Sequence, residues 1–83
     1  MKVHVRYFAA IREALGVPRE TLETQAIDLA GLRQELVARG GPAGQVLAQG
    51  QAVRMALDQV LCDGAARLKP ECEVAFFPPV TGG

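Results

Sequence analysis

The chain has 83 residues, and nine basic side chains balance nine acidic ones, so its formal net charge is zero. This length allows one domain and excludes a two-domain enzyme, and the balanced charge excludes a general electrostatic attraction to nucleic acid. No apolar run approaches the ~20 residues of a membrane span, and residues 1–2 lead directly into a strand pattern without a signal-peptide region, so we expect a cytoplasmic protein with no membrane or nucleic-acid partner.

The first part of the chain predicts a strand, a short helix and a second strand. Apolar and polar side chains alternate over residues 2–8, which predicts a strand with one buried face. That face carries Val3, Val5 and Tyr7. Ile11 and Leu15 are four residues apart, which predicts a short helix that ends at Gly16. Residues 21–24 have strand-forming composition and predict the second strand.

A second helix is predicted from Asp28, whose carboxylate can accept hydrogen bonds from the free amides of the first turn. Its apolar residues form one stripe, which is typical of a helix packed on a core. The stripe contains Leu29, Leu32, Leu36 and Val37, and the residues expected to face water are Arg33, Gln34 and Arg39. Residues 40–42, Gly-Gly-Pro, end this helix.

The second half of the chain predicts strands. Residues 44–50 give only a weak indication of a helical turn. Residues 53–57 and 60–62 then predict two strands joined by a turn at 58–59. A turn with proline at its second position follows over residues 69–72, and residues 73–77 predict a last strand with Val74 and Phe76 on one face. This order predicts an α+β roll, in which a mixed β-sheet has its helices packed on one face.

The sequence offers few groups for catalysis. It has no serine and no asparagine, and its one histidine, His4, lies on the predicted surface of the first strand. A Ser-His-Asp triad is therefore excluded, and a Cys-His pair would lack the usual amide that orients the histidine. Nine residues separate Cys62 from Cys72, which is a poor spacing for zinc ligands. We expect no metal site and two free thiols in a reducing compartment.

The last six residues, 78–83, are the strongest candidate for chemistry. Pro78 and Pro79 stiffen the root of this segment, and six extended residues reach up to ~20 Å. Gly82 and Gly83 have no side chain that would clash with the walls of a narrow channel. The sequence therefore predicts a flexible tail that carries its terminal carboxylate into another protein's active site. The alternative is an ordinary frayed terminus.

Two aromatic rings are expected on the face of the sheet opposite the buried one. Phe77 follows a residue that faces the core, and Phe8 lies opposite the apolar face of the first strand. Aromatic side chains are enriched at protein interfaces, so these rings predict a partner surface that Leu61 and Arg12 extend. The alternative is that both rings lie beneath a helix.

Two segments resemble those of a known family. Residues 73–83, Glu-Val-Ala-Phe-Phe-Pro-Pro-Val-Thr-Gly-Gly, look like the C-terminus of the small subunits of molybdopterin synthase, which are ubiquitin-like sulfur carriers. Residues 7–13, Tyr-Phe-Ala-Ala-Ile-Arg-Glu, resemble the first strand-to-helix junction of the same family. The resemblance runs the full length of the chain, with only general pattern over residues 40–52. It implies a β-grasp domain over residues 1–77 and a flexible tail over residues 78–83.

The resemblance also implies a chemical cycle. A separate ATP- and Mg²⁺-dependent enzyme would adenylate the Gly83 carboxylate, which would then become a thiocarboxylate and donate sulfur to a pterin precursor, forming the dithiolene of the molybdenum cofactor. This chain would hold no permanent cofactor, and the catalytic groups would belong to a large subunit in a heterotetramer. The implied site residues are Gly83 and Gly82 for the chemistry, and Phe8, Arg12, Leu61, Phe77, Pro78, Pro79, Val80 and Thr81 for the partner interface.

Three other functions stay open. A sulfur carrier for thiazole synthesis or for tRNA thiolation would share the fold and the terminal Gly-Gly. A ubiquitin-like modifier would form an isopeptide bond from Gly83 to lysines of target proteins. A pure interaction module would need no free C-terminus, so removal of residues 82–83 would leave its activity intact.

Overall fold

Five strands and three helices are found in the computed structural model, which describes residues 1–79. In chain order they are β1 (Lys2–Tyr7), α1 (Ala9–Leu15), β2 (Arg19–Glu23), α2 (Leu29–Ala38), α3 (Gly41–Val46), β3 (Arg54–Leu57), β4 (Val60–Cys62) and β5 (Glu73–Phe77). Every strand that the sequence predicts is present. The final segment of the chain, residues 80–83, lies outside the described residues.

The five strands form one mixed sheet in the order β2-β1-β5-β3-β4. The neighbouring strands β1 and β5 are parallel, and the other three pairs, β1–β2, β3–β5 and β3–β4, are antiparallel. The helices contribute their apolar residues to a core on one face of this sheet. The predicted α+β roll is confirmed, and its topology is that of the β-grasp fold. The opposite face, called the outer face below, carries no helix from the described part of the chain.

The central strands supply the middle of the core. Val3 and Val5 are fully buried and Tyr7 is 1% exposed, as their alternation predicts. Val74 and Phe76 of β5 are also fully buried. The rings of Tyr7 and Phe76 stack with their centroids 6.3 Å apart. Each large apolar side chain buried in this way contributes about 1.5–3 kcal/mol, so the β1–β5 pair anchors the fold.

Helix α2 begins as the sequence predicts. The Oδ1 atom of Asp28 accepts a hydrogen bond from the Gly31 amide at 2.8 Å, which satisfies one of the free donors of the first turn. The stripe residues Leu29, Leu32 and Leu36 are buried against the sheet, and Val37 is partly buried. Helix α1 also ends as predicted, at Gly16, which has the left-handed φ of 80° that glycine adopts without strain.

The expectation that Arg33 faces water is wrong. Its Nε atom donates to the carbonyl oxygen of Leu47 at 2.6 Å, and one Nη atom donates to the carbonyls of Ala48 and Gln51 at 2.9 and 3.1 Å. These carbonyls belong to the segment that follows α3, so the guanidinium binds three backbone acceptors of that segment. Arg33 therefore holds the segment after α3 against α2.

Residues 40–42 end α2, as predicted, and they also begin α3, which the sequence does not predict. Helix α2 ends at Ala38, and Gly41 and Pro42 open α3 instead of starting a loop. Proline suits the first turn of a helix because the amide it lacks would have no partner there. The helical turn expected over residues 44–50 is thus displaced toward the N-terminus and ends at Val46.

Arg39 is exposed, as expected, and it also joins an ion pair at the surface. Its guanidinium donates to both carboxylate oxygens of Glu20, at 2.6 and 3.1 Å. Glu20 accepts a further hydrogen bond from the buried hydroxyl of Tyr7 at 2.7 Å. The hydrogen bonds from Arg39 lower the pKa of Glu20, and burial raises the pKa of Tyr7. This network joins β1 and β2 to the end of α2.

The two predicted turns of the second half are confirmed. Asp58 and Gln59 connect β3 to β4 with φ angles of 48° and 70°, the positive values that a tight hairpin of this kind needs. The Oδ1 atom of Asp58 accepts from the Glu73 amide at 2.9 Å and fixes the hairpin to β5. In the turn over 69–72, the Cys72 amide donates to the Lys69 carbonyl at 3.1 Å.

Candidate functional site

The outer face of the sheet is built from small side chains in its centre. Cross-strand pairing places Arg6 beside Ala75, Ala75 beside Ala56, and Ala56 beside Leu61. Side chains opposite each other in a sheet point to the same face, so these four residues form one row across it. The two alanines make a low apolar floor, and Leu61 lies at the edge with 60% of its surface exposed.

Two phenylalanines rise beside this floor. Phe77 is the last residue of β5, and Phe8 directly follows β1. The Phe8 amide donates to the Phe76 carbonyl at 3.2 Å, which continues the pairing of β1 with β5 to the end of both strands. Both rings are half-buried and neither belongs to the core cluster. The interpretation of Phe8 and Phe77 as outer-face residues is therefore supported, and the alternative of rings beneath a helix is not.

The chain turns sharply just after Phe8. Phe8 has the extended backbone of a residue preceding a helix, and Ala9 has a φ of 51°, in the left-handed region that is costly for residues other than glycine. This bend sends the chain into α1 behind the sheet while Phe8 stays on the outer face. The predicted strand-to-helix junction thus sets the position of one aromatic ring.

The floor and the two rings enclose an open groove of about 660 Å³. Among the described residues, its lining consists of Arg6, Phe8, Ala9, Ala56, Gln59, Glu73, Ala75, Phe77, Pro78 and Pro79. The lining is mainly apolar, which is typical of a surface that binds another apolar surface. Pro78 and Pro79 belong to this lining, so the segment expected to carry the chemistry leaves the domain at the groove.

Arg6 forms one polar wall of the groove. Its guanidinium carbon lies 5.1 Å from the centre of the Phe8 ring, a cation–π contact. One Nη atom lies 3.8 Å from Oε1 of Glu73, so the side chain is held between a ring and a carboxylate. The described lining includes no serine, cysteine or histidine. The groove is therefore equipped for binding and lacks a nucleophile of those types.

The residues considered for other chemistry lie elsewhere. His4 is on the outer face, as predicted, where Nδ1 lies 3.1 Å from Oγ1 of Thr21 and Nε2 lies 2.9 Å from Oε1 of Glu71. Both thiols are free: Cys72 is buried in the core and Cys62 is half-buried. Partial burial raises the pKa of the Cys62 thiol, which makes it a weaker nucleophile at neutral pH.

Residues 1–79 have neither a candidate metal site nor a candidate membrane-spanning helix. This part of the chain has no cluster of three or more histidine, cysteine, aspartate or glutamate side chains that could hold a metal ion. It also has no helix long and apolar enough to cross a membrane.

The structure brings together four of the predicted interface residues and separates two. Phe8, Phe77, Pro78 and Pro79 line the groove. Leu61 lies on the same face but at its edge, and Arg12 is exposed on α1 without being part of the described lining. Val80, Thr81, Gly82 and Gly83 fall outside the described residues, so their predicted roles stay predictions.

Sequence reasoning missed the residues that shape the groove. The alternation over residues 2–8 places Arg6 on the polar face of β1 but predicts no site role for it, nor for Ala56 or Ala75. The signal was present in the alternation of β3 and β5, where each alanine falls on the face opposite the core-facing residues. Two small residues at such positions on neighbouring strands indicate a depression in a sheet surface.

Comparison with known proteins places these features in a family. The ThiS family matches residues 5–83, nearly the entire chain. This chain belongs to the ThiS family. The molybdopterin synthase sulfur carrier subunit of Haemophilus influenzae is 35% identical to it over 81 residues, which cover 98% of this chain and 99% of that protein. The sulfur carrier subunit of the same name from Mycobacterium tuberculosis is 36% identical over 85 residues and covers 100% and 99% of the two chains.

A solved structure gives the same fold. It is the protein–protein complex of subunits 1 and 2 of the molybdopterin-converting factor from Helicobacter pylori. A chain of that complex is 30% identical to this ThiS-family chain, with a TM-score of 0.71 and complete coverage of both. The similarity extends over the groove-bearing domain and not only over the C-terminal segment.

Proposed function

We propose that this chain is the sulfur carrier subunit of a molybdopterin synthase. The observation that carries the proposal is full-length similarity, at 33–36% identity, to three proteins named molybdopterin synthase sulfur carrier subunit. The position of the apolar groove supports it independently, because Pro78 and Pro79, at the root of the C-terminal segment, line the groove.

The reactive group in this proposal is the carboxylate of Gly83. A carboxylate is a poor acyl donor, so a separate enzyme first joins it to AMP from ATP with Mg²⁺, releasing pyrophosphate. Hydrosulfide, HS⁻, then attacks the acyl carbon, and AMP leaves with the electron pair of the broken C–O bond. The product is a thiocarboxylate at Gly83. Its sulfur forms a bond to a carbon of the pterin precursor while an oxygen substituent on that carbon leaves with its electron pair. Water then cleaves the acyl–sulfur bond, which leaves the sulfur on the pterin and restores the Gly83 carboxylate.

The folded domain serves as the positioning part of the carrier. The partner is a large subunit that receives the tail in its active site and covers the groove lined by Phe8 and Phe77. Because Pro78 and Pro79 line the same groove, binding there fixes the starting point of the tail. Holding the tethered sulfur close to its target makes the transfer effectively intramolecular, which can be worth about 7–11 kcal/mol of the barrier. We further propose two copies of each subunit per assembly.

Mass spectrometry tests the chemistry directly. The purified chain is incubated with its activating enzyme, ATP, Mg²⁺ and a source of sulfide, and fragments are then sequenced. Replacement of one oxygen by sulfur is expected at Gly83 alone. Fragment data are needed because oxidation of Met1, Met55 or a cysteine produces a similar change in the intact mass. A chain extended by one residue after Gly83 is the matched control and should stay unmodified.

Two outcomes would contradict the proposal. One is modification of the extended control at the same rate as the native chain. The other is a chain that carries the Gly83 thiocarboxylate but transfers no sulfur when mixed with a molybdopterin synthase large subunit and the pterin precursor. In the second case a carrier for another sulfur pathway, or a modifier that forms conjugates with lysines, becomes the better assignment.

A further inference from the structure

Two arginines face each other on the outer sheet face. Arg6 of β1 pairs directly with Arg19 of β2. The Tyr7 amide donates to the Pro18 carbonyl at 2.9 Å, so Arg6 and Arg19 occupy the type of antiparallel pair whose side chains lie closest together. Like charges directly opposite each other destabilise a sheet. The pair is therefore a stability cost that the fold itself does not require.

Nearby acidic groups compensate this charge only in part. Arg6 has Glu73 at 3.8 Å, and it also lies over the Phe8 ring. Glu20 lies next to Arg19 in β2, but Arg39 already holds both of its carboxylate oxygens. Arg19 itself is exposed and forms no ion pair within residues 1–79. A positive charge without a carboxylate partner thus remains in the described part of this face.

The arginine pair is continuous with the apolar groove. A second hollow, of about 720 Å³, is lined by His4, Val5, Arg6, Arg19, Glu20, Thr21 and Glu73. Arg6 and Glu73 line both the hollow and the groove. The imidazole of His4 in this hollow is held by Thr21 and Glu71. A protein that covers the groove can therefore contact the arginine pair through the same continuous interface.

We infer that the large-subunit partner places an aspartate or glutamate carboxylate between Arg6 and Arg19 when it covers the groove. This inference rests on the proposed function and adds the chemistry by which the partner is selected. An arginine guanidinium binds a carboxylate through two parallel hydrogen bonds. Opposite charges across the edge of an interface mainly speed association and reject wrong partners. The groove provides the apolar contact, and the arginine pair selects an acidic surface.

Charge reversal at Arg19 tests the inference. Arg19 is chosen over Arg6 because Arg6 also supports Phe8. The large subunit of a molybdopterin synthase is immobilised, and association and dissociation rates of the wild type and of Arg19→Glu are measured at low and high salt, about 50 and about 500 mM. We expect an affinity loss of about tenfold at low salt, chiefly in the association rate, which shrinks at high salt through screening.

Arg67→Glu is the matched control. It makes the same charge change at an exposed residue near the start of α2, where the backbone of Arg67 forms an isolated antiparallel β-bridge with that of Asp28. Its binding should stay within about twofold of the wild type. Arg19→Glu should also raise the midpoint of thermal unfolding, because it replaces repulsion of Arg6 by attraction. Weaker binding by a more stable protein separates loss of a partner contact from loss of the fold.

The possible results are distinguishable. If the wild type binds the large subunit but Arg19→Glu binds equally well at low salt, or no more weakly than Arg67→Glu, the inference is wrong and the proposed function stands. If Arg19→Glu weakens binding to the activating enzyme but not binding to the large subunit, the inference is also wrong. If the wild type binds no large subunit at either salt concentration, the proposed function itself fails. Support requires that one Asp→Arg or Glu→Arg variant of the large subunit restore binding of Arg19→Glu.

Discussion

The amide of Phe8 donates a hydrogen bond to the carbonyl of Phe76 at 3.2 Å. This bond joins the first residue after β1 to the penultimate residue of β5, and it places Phe8 and Phe77 beside each other on the outer face. The distance between the two rings of the groove is therefore set by the most deeply buried strand pair of the protein. Rigid support of this kind suits an interface that must position a tail.

Phe76 should determine the stability of the fold, whereas its neighbour Phe77 should determine the affinity for the large subunit. Phe76→Ala removes a fully buried ring and is expected to lower the free energy of unfolding by about 3–5 kcal/mol. Phe77→Ala removes a half-buried ring of the groove, and we expect a folded protein whose affinity for the large subunit falls by about 2 kcal/mol, or roughly thirtyfold. Denaturant unfolding and calorimetry measure the two effects. Equal affinity of Phe77→Ala and the wild type would exclude the groove from the interface.

Replacement of Gly82 should impair sulfur transfer without changing stability. We predict a graded loss, small for Gly82→Ala and at least about tenfold for Gly82→Val, because a side chain next to the reactive group narrows the approach within a channel. The unfolding midpoint should be unchanged in both variants. The measurement is the single-turnover rate of sulfur transfer from protein that already carries the thiocarboxylate. A Gly82→Val variant with normal transfer would argue against a narrow channel.

The Tyr7–Glu20–Arg39 network predicts a stability change in acid. Because Arg39 lowers the pKa of Glu20 in the folded protein, this carboxylate stabilises the fold above the unfolded pKa of ~4.3. The contribution is lost as the pH falls through the lower native value. Glu20→Gln should cost about 1–2 kcal/mol at pH 7 and less at pH 3. Urea unfolding at both pH values checks this, and a Glu20→Gln penalty that is equal at the two would contradict it.

Arg33 should matter more than an exposed neighbour on the same helix. Arg33→Met keeps the apolar stem but removes the donors to three backbone carbonyls, so we expect a loss of about 1.5–3 kcal/mol in unfolding free energy. Gln34→Met, at an exposed position of α2, should change it by less than about 0.5 kcal/mol. Hydrogen exchange provides a second measurement, in which residues 47–51 should lose protection only in Arg33→Met.

Local patterns explain why much of the fold was predicted. The alternation of Val3, Val5 and Tyr7 identifies the buried face of β1, because a strand turns successive side chains to opposite sides. The Asp28 cap and the leucine stripe identify α2 in the same way, since both depend on residues three or four positions apart. Helix α3 was misplaced because three glycines and a proline over 40–44 mask a helix that depends on packing for its stability.

The amino-acid sequence by itself determined which strand faces are apolar, where α1 ends and α2 begins, and which terminus carries the candidate chemistry. Only the tertiary structure decided that Arg6 meets Arg19, that Ala56 and Ala75 form one floor, and that Arg33 holds the carbonyls after α3. The physical reason is the distance along the chain over which each kind of interaction acts. Periodicity and caps act between near neighbours. The groove depends instead on the pairing order and register of strands, which bring together residues as distant in the chain as Arg6 and Ala75.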